Sequence, residues 1–191
     1  TDVFNVAFNW DSNLGWADAN EVAERNARKL GRWVRDLRAN DDRPIRIICH
    51  SLGARVVCSL LEELHPDRTR FYASQSGRSA SRRPRTTAKR GVVDSVALLG
   101  AAIGNDSVRM DERWGKAIQY STDELYNYYS RSDDTLEGYS FLGYTGITDA
   151  NKAPTNYTDR NVTESVENHG DYDSANNEVG VLDEVVDDFD I

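Results

Sequence analysis

A serine at a sharp turn between a buried strand and a helix is the first place in this sequence where chemistry could be done. The branched apolar run at residues 45–49 is typical of a buried parallel strand and leads into His50-Ser51-Leu52-Gly53. Beyond the turn, apolar residues recur at helical spacing through residue 64. Strand, serine-bearing turn and helix together predict a nucleophile elbow, which holds a serine hydroxyl clear of its own backbone.

The neighbours of Ser51 must be small for such a turn to form. Gly53 meets this need on one side, whereas Cys49 stands where the usual G-x-S-x-G pattern has its first glycine. The alternative is an ordinary strand-to-helix turn in a nucleotide-binding α/β fold. The sequence contains neither G-x-G-x-x-G nor G-x-x-x-x-G-K-[ST], which disfavours that alternative.

A serine nucleophile needs a general base, and the chain has only three histidines. His50 adjoins Ser51, so its side chain is expected to point away from the hydroxyl. His65 follows the next helix and should lie roughly 20 Å away, at ~1.5 Å per residue. His169 follows the last predicted strand and is therefore the expected base, the alternative being a surface loop histidine.

The base in turn needs a carboxylate that orients it. Asp133 and Asp134 both follow the strand predicted at 125–130, and open α/β sheets place ligand groups beyond the carboxyl ends of strands. We favour Asp133 as the acid because it leads the turn before Leu136 re-enters the core. Asp134 is the alternative acid.

Hydrophobic periodicity predicts strands alternating with helices along the chain. Strands are predicted at 3–10, 45–49, 92–100, 125–130 and 161–166, helices at 19–37, 51–64, 105–114 and 181–189, and a loop at 138–154. This alternation predicts an α/β fold with a mostly parallel sheet flanked by helices. We expect one domain over residues 1–191, with a basic flexible insertion at about 68–90.

Composition narrows the range of partners. The net charge of −9, with arginine far outnumbering lysine, argues against nucleic acid and suits a high-salt, halophilic environment in which self-repulsion is screened. No apolar run approaches the length of a transmembrane segment. Two cysteines do not make a disulfide framework, and no metal-ligand spacing appears, so neither a cofactor nor a metal is expected.

On four stretches the chain resembles an α/β-hydrolase of the serine esterase/lipase type. These stretches are residues 49–54, 98–101, 129–133 and 168–172, and they supply Ser51, Asp133 and His169 in the order found in that family. The resemblance implies hydrolysis of a small acyl-ester, lipid or thioester substrate through an acyl-enzyme. It also implies that the N–H of Leu52 supplies half of the oxyanion hole.

The resemblance implies, in addition, that part of the fold is missing from this chain. In the family a further strand, whose loop carries the second oxyanion donor, lies between the elbow strand and the strand that precedes it in sequence. A central gap would leave two rows of backbone groups unpaired, so we expect a second polypeptide to complete the sheet. The simplest source is the N-terminal piece of the same precursor, cut just before Thr1.

Two alternatives stay open at this point. In a more compact sheet, the strand at 3–10 would itself pair with the elbow strand, and residues 9–15 would supply the second donor. A different function is also open, in which the chain is a catalytically silent hydrolase-fold structural or interaction protein, one piece of a larger assembly.

Overall fold

Four parallel strands form one sheet in the order β1-β2-β3-β4 in the computed structural model, which describes residues 4–11, 13–68, 91–174 and 179–191. The strands are β1 (Arg46–His50), β2 (Val93–Leu99), β3 (Thr122–Tyr129) and β4 (Tyr157–Asn161). Helices connect and cover them. The predicted α/β fold, with a parallel sheet flanked by helices, is therefore confirmed.

The helices occupy both faces of the sheet. They are α1 (Trp16–Asn40), α2 (Gly53–Leu64), α3 (Gly115–Ser121), the single turn α4 (Leu142–Thr145) and α5 (Leu182–Asp188), with 3₁₀ turns at Asn105–Val108 and Ala150–Lys152. The long helix α1 packs on α2 through a stripe of small residues spaced about one turn apart. That stripe consists of Ala19, Ala23, Ala27, Gly31 and Val34.

Alternation along β2 divides the core into two layers. Every residue of β2 is buried. Val96 and Leu98 pack with α1, α2 and α3, whereas Ala97 and Leu99 face Tyr128 and the residues around α5. Both faces of this strand are therefore covered, as a parallel sheet requires.

A buried ion pair ties the end of α1 to the start of the sheet. The Asp94 carboxylate accepts a hydrogen bond from the Ile45 N–H at 2.7 Å and also pairs with the Arg38 guanidinium. Because side chains of both charged residues are mostly buried, the pair fixes where β1 begins relative to α1.

Several sequence predictions differ from the structure. Residues 4–10 have no regular secondary structure, and the last strand lies at Tyr157–Asn161 rather than 161–166. The predicted helix at 105–114 is only a 3₁₀ turn over Asn105–Val108, and the predicted loop at 138–154 contains α4 and the second 3₁₀ turn. Most of the basic insertion expected at 68–90 lies outside the described residues.

The compact alternative for the N-terminal segment is wrong, because β1 is the edge of the sheet and pairs only with β2 within the described chain. The Ile45 carbonyl and the Ser51 N–H both bond toward β2. Since backbone groups alternate along a strand, those of Arg46, Ile48 and His50 point away from the sheet. Ile48 is 50% exposed, so one of the two edges of this sheet is the strand that carries the serine turn.

Candidate active site

The turn after β1 holds Ser51 in a left-handed backbone conformation. Its φ of 55° is unusual for a residue with a side chain. The Ser51 N–H donates to Leu99 O at 2.9 Å, and its carbonyl accepts from Ala54 N and Ala102 N, both at 3.1 Å. Backbone bonds on both sides thus hold the strained residue at the carboxyl end of the sheet, where α2 begins.

The packing around the turn explains which side chains it tolerates. A Cβ added to Gly53 would lie 3.3 Å from the Cβ of Cys49, which is a tight contact. Cysteine is therefore accommodated at position 49 because glycine occupies position 53. The Cys49 Sγ lies 3.7 Å from Ala97 O, so the thiol points into the sheet rather than toward Ser51.

The three residues predicted to act together lie within hydrogen-bond distance of one another. Ser51 Oγ is 2.8 Å from His169 Nε2, and His169 Nδ1 is 2.7 Å from Asp133 Oδ2. The carboxylate fixes the proton on Nδ1 and leaves Nε2 free to accept the serine proton. A serine hydroxyl, an imidazole and a buried carboxylate therefore form one continuous chain of hydrogen bonds.

Asp133 is the aspartate at this site, and Asp134 is not. The Asp133 side chain is fully buried and its Oδ1 accepts from Thr135 N at 3.1 Å and Leu136 N at 2.9 Å. These two backbone donors fix the carboxylate so that Oδ2 faces His169. Asp134 is exposed, and its carboxylate accepts from the Thr135 hydroxyl instead.

The irregular loop that carries His169 is anchored by Tyr172. The buried Tyr172 hydroxyl accepts from Ser130 N and donates to Gly143 O, both at 3.1 Å. Burial, with the nearby charge of Asp133 adding to it, raises the pKa of this phenol, which keeps the hydroxyl protonated as a donor. The loop after β4 is thereby bonded to the end of β3, from which Asp133 comes.

His50 makes a contact that the sequence did not predict. His50 Nε2 lies 2.7 Å from the backbone carbonyl of His169, and the two imidazole centroids are 4.5 Å apart. Partial burial and the neighbouring His169 lower the pKa of His50. The sequence gives no sign of this contact, because it forms only when the fold places the loop around His169 next to His50. His65 lies at the end of α2 and packs against Tyr120.

A large apolar cavity opens beside the serine. It has a volume of about 1090 Å³ and runs from Ser51 and Leu52 along the free edge of β1. Its other walls include Leu30 and Trp33 of α1 and the irregular segment at residues 4–10. Within the described parts of the chain, no carbonyl or side chain accepts from the Leu52 N–H, which leaves this donor free for a ligand.

Both cysteines are free thiols, and burial raises the pKa of Cys58 to about 12. Over residues 4–68, 91–174 and 179–191, apart from position 12, no cluster of three or more His, Cys, Asp or Glu side chains could hold a metal. In the same part of the chain, no helix has the length and apolar character needed to cross a membrane.

Comparison with known proteins gave no relative: the chain matches no protein-family model, no curated protein and no solved structure.

Proposed function

We propose that this chain is a serine hydrolase that cleaves carboxylic ester or thioester bonds through an acyl-enzyme on Ser51. The observation that carries the proposal is the unbroken chain of hydrogen bonds from Ser51 Oγ through the His169 ring to buried Asp133. An unsupported serine hydroxyl is a weak nucleophile at neutral pH, and an adjacent oriented imidazole is what activates it. The strained φ of Ser51 adds support, because such strain persists where function requires it.

Each reaction step can be assigned to one of these groups. His169 Nε2 takes the hydroxyl proton while Oγ attacks the substrate carbonyl carbon, whose oxygen becomes negatively charged. The bond from this carbon to the leaving alcohol or thiol then breaks, and the imidazolium returns its proton to the leaving group. Water repeats the sequence on the acyl-enzyme, which releases the acid and restores the Ser51 hydroxyl.

The negative charge that develops on the substrate oxygen needs N–H donors. Leu52 supplies one, because its N–H is at the start of α2 and lacks an acceptor within the described chain. The end of the apolar cavity at Ser51 and Leu52, beyond the outward backbone groups of β1, suits a small acyl-ester or lipid substrate.

A fluorophosphonate probe, which reacts with activated serines, tests the proposal directly. We expect labelling of the wild-type protein at Ser51, none in Ser51→Ala, and labelling slower by about 10³-fold or more in His169→Ala. Ser132→Ala is the matched control, since Ser132 is exposed and close to Asp133 in sequence. Equal labelling of wild type and His169→Ala would refute the proposal.

We further propose that a second polypeptide completes the sheet by adding a strand along β1. Two observations support this. The outward backbone groups of Arg46, Ile48 and His50 have no partner in the described chain, and residues between 4 and 10 line the same cavity. A strand in that cavity would cover the exposed Ile48 and bring its own backbone N–H groups to the Ser51 turn.

Hydrogen exchange on the purified assembly tests this second proposal. The amides of Ile48 and His50 point outward and should exchange quickly in the isolated chain but slowly once a strand is added. The amides of Ile47 and Cys49 point toward β2 and should be protected in both states. A copurifying chain that leaves Ile48 and His50 unprotected would contradict strand addition.

The free edge of β1 also favours the alternative function, a silent hydrolase scaffold with a role in assembly. The labelling experiment separates the two functions when it is repeated on the complete assembly. Labelling of Ser51 there supports the enzyme. An unlabelled Ser51 in an intact assembly supports the scaffold.

A further inference from the structure

We propose that His50 is a positioning residue that holds the His169 loop in register with Ser51. This inference rests on the proposed hydrolase function and assigns a role to a residue that the reaction steps do not use. The contact that carries it is the 2.7 Å hydrogen bond between His50 Nε2 and His169 O. A carbonyl can only accept, so His50 Nε2 carries the proton and donates it.

His169 lies in irregular structure between β4 and α5, so its position is not set by a helix or strand. Its side chain is held by Asp133 and Ser51, while its main chain is held by His50. The His50 ring also lies beside the His169 ring, at 4.5 Å between centroids and 38° between planes. Because His50 is adjacent to Ser51, the nucleophile and the backbone of its base are tied to the same turn.

The charge state of His50 fits this role. Partial burial and the neighbouring His169 lower its pKa, against the opposing effects of the His169 carbonyl and of the carboxylates of Asp173 and Asp133. Tyr172 also faces it, with its ring 5.8 Å away. His50 is therefore neutral at neutral pH. A neutral neighbour does not repel the positive charge that His169 acquires when it takes the serine proton.

Two substitutions at His50 test the hydrogen-bond donor and the aromatic ring separately. His50→Phe keeps a flat ring beside His169 but removes the N–H, whereas His50→Gln keeps an N–H donor of similar reach and removes the ring. We expect His50→Phe to lower kcat by about 10- to 100-fold with little change in KM, as a small misplacement of a catalytic group does. His50→Gln should recover most of that loss.

His50→Phe and His50→Gln are then each combined with His169→Ala, which shows whether His50 acts through His169. There His50→Phe should cause no further loss, to within a factor of about three. Equal kcat in wild type and His50→Phe would overturn the proposal, and so would an undiminished loss in the His169→Ala background. A loss in His50→Phe that His50→Gln does not recover at all would overturn the donor role.

A spectroscopic readout keeps this inference separable from the hydrolase proposal. The proton on His169 Nδ1, shared with Asp133, should give a strongly deshielded NMR resonance in wild type and His50→Gln, and a shifted or broadened one in His50→Phe. If the wild-type protein fails to label at Ser51, the hydrolase function fails while this signal still tests positioning. An unchanged signal in a folded His50→Phe protein would overturn positioning whatever the labelling result.

Discussion

The backbone of Ser51 adopts a conformation that costs about 1–3 kcal/mol for a residue with a side chain. Three backbone hydrogen bonds, to Leu99, Ala54 and Ala102, hold it there. The cost has a functional purpose in the proposed mechanism, because it aims the hydroxyl at His169 instead of at the helix that follows. The neighbours of Ser51 matter as well, since a Cβ on Gly53 would lie only 3.3 Å from the Cβ of Cys49.

The first prediction concerns the two adjacent aspartates. Asp133→Asn should lower kcat by about 10⁴-fold, because an amide no longer fixes the His169 proton on Nδ1. Asp134→Asn, the matched control, changes an exposed side chain that does not contact the histidine, and its activity should stay within about twofold of wild type. Steady-state kinetics on an activated ester measures both. A larger loss in Asp134→Asn than in Asp133→Asn would contradict the assignment.

A second prediction follows from the contact between Cys49 and Gly53. Gly53→Ala should lower the free energy of unfolding by about 1–3 kcal/mol, because the new Cβ would lie 3.3 Å from that of Cys49. Cys49→Gly removes the obstacle, so Gly53→Ala should cost much less in that background. Urea unfolding of the four proteins gives the coupling free energy. A coupling near zero would show that the clash is relieved elsewhere.

At the scale of elements, the sequence predicted well where burial produces a clear hydrophobic pattern. Strand β2 is buried along its whole length and reads as a continuous apolar run. Strand β4 has the polar sequence Tyr157–Asn161 and lies at the other edge of the sheet, so its own residues carry little signal and it was placed several residues too late.

The N-terminal segment shows the opposite error. Its apolar residues Phe4, Val6, Phe8 and Trp10 alternate as in a strand, but a strand also needs a neighbour for its backbone groups. Residues 4–10 make no such pairing with the rest of the described chain, and Phe4 is 77% exposed. The pattern was visible in the sequence, whereas the absence of a partner was not.

The convergence of Ser51, His169 and Asp133 was easier to predict than the elements around them. A chain with three histidines offers few choices of base, and both candidate aspartates were adjacent. The choice between Asp133 and Asp134 depends on the Thr135 and Leu136 amides that fix one carboxylate. The contact of His50 with the 169 loop depends on tertiary structure alone, and no local pattern could have predicted it.

A third prediction concerns how α5 is attached to the sheet. The Asp188 carboxylate accepts from the Tyr128 hydroxyl at 2.6 Å and from Arg160 Nε at 2.9 Å. Burial would raise the pKa of Asp188, but the hydrogen bonds from Arg160 and Tyr128 and the charge of Arg160 outweigh it and hold the pKa below its usual value. The ionised carboxylate therefore stabilises the folded state.

Because the pKa of Asp188 is lower in the folded state, its carboxylate stabilises the fold fully above the pKa of the unfolded state, near 4. This stabilisation is lost as the pH falls through the pKa of the folded state. Asp188→Asn should therefore be less stable than wild type at pH 7, and the difference should shrink as the pH drops from about 4 toward 2. Urea midpoints measured across this range test it. If the stability difference between Asp188→Asn and wild type stays constant with pH, then packing of Asp188, and not its ionised carboxylate, holds α5 on the sheet.

For the whole molecule, the net charge of −9 opposes association of one copy with another at low ionic strength. The free edge of β1 favours association, because its outward backbone groups can pair with any strand that approaches. Salt shifts the balance, since it screens the repulsion and leaves backbone hydrogen bonding intact. We therefore expect the isolated chain to self-associate increasingly as salt is raised.

A substitution at the exposed edge tests whether β1 is the surface responsible. Ile48→Lys places a charge on an edge residue that is 50% exposed, so it should reduce self-association at high salt with little effect on folding. Val186→Lys is the control, because Val186 is 42% exposed but belongs to the helix α5 and not to an edge strand. Light scattering across a salt series measures the average mass. If both lysine variants associate as wild type does, β1 is not the contact surface, and the case for an added strand at this edge is weakened with it.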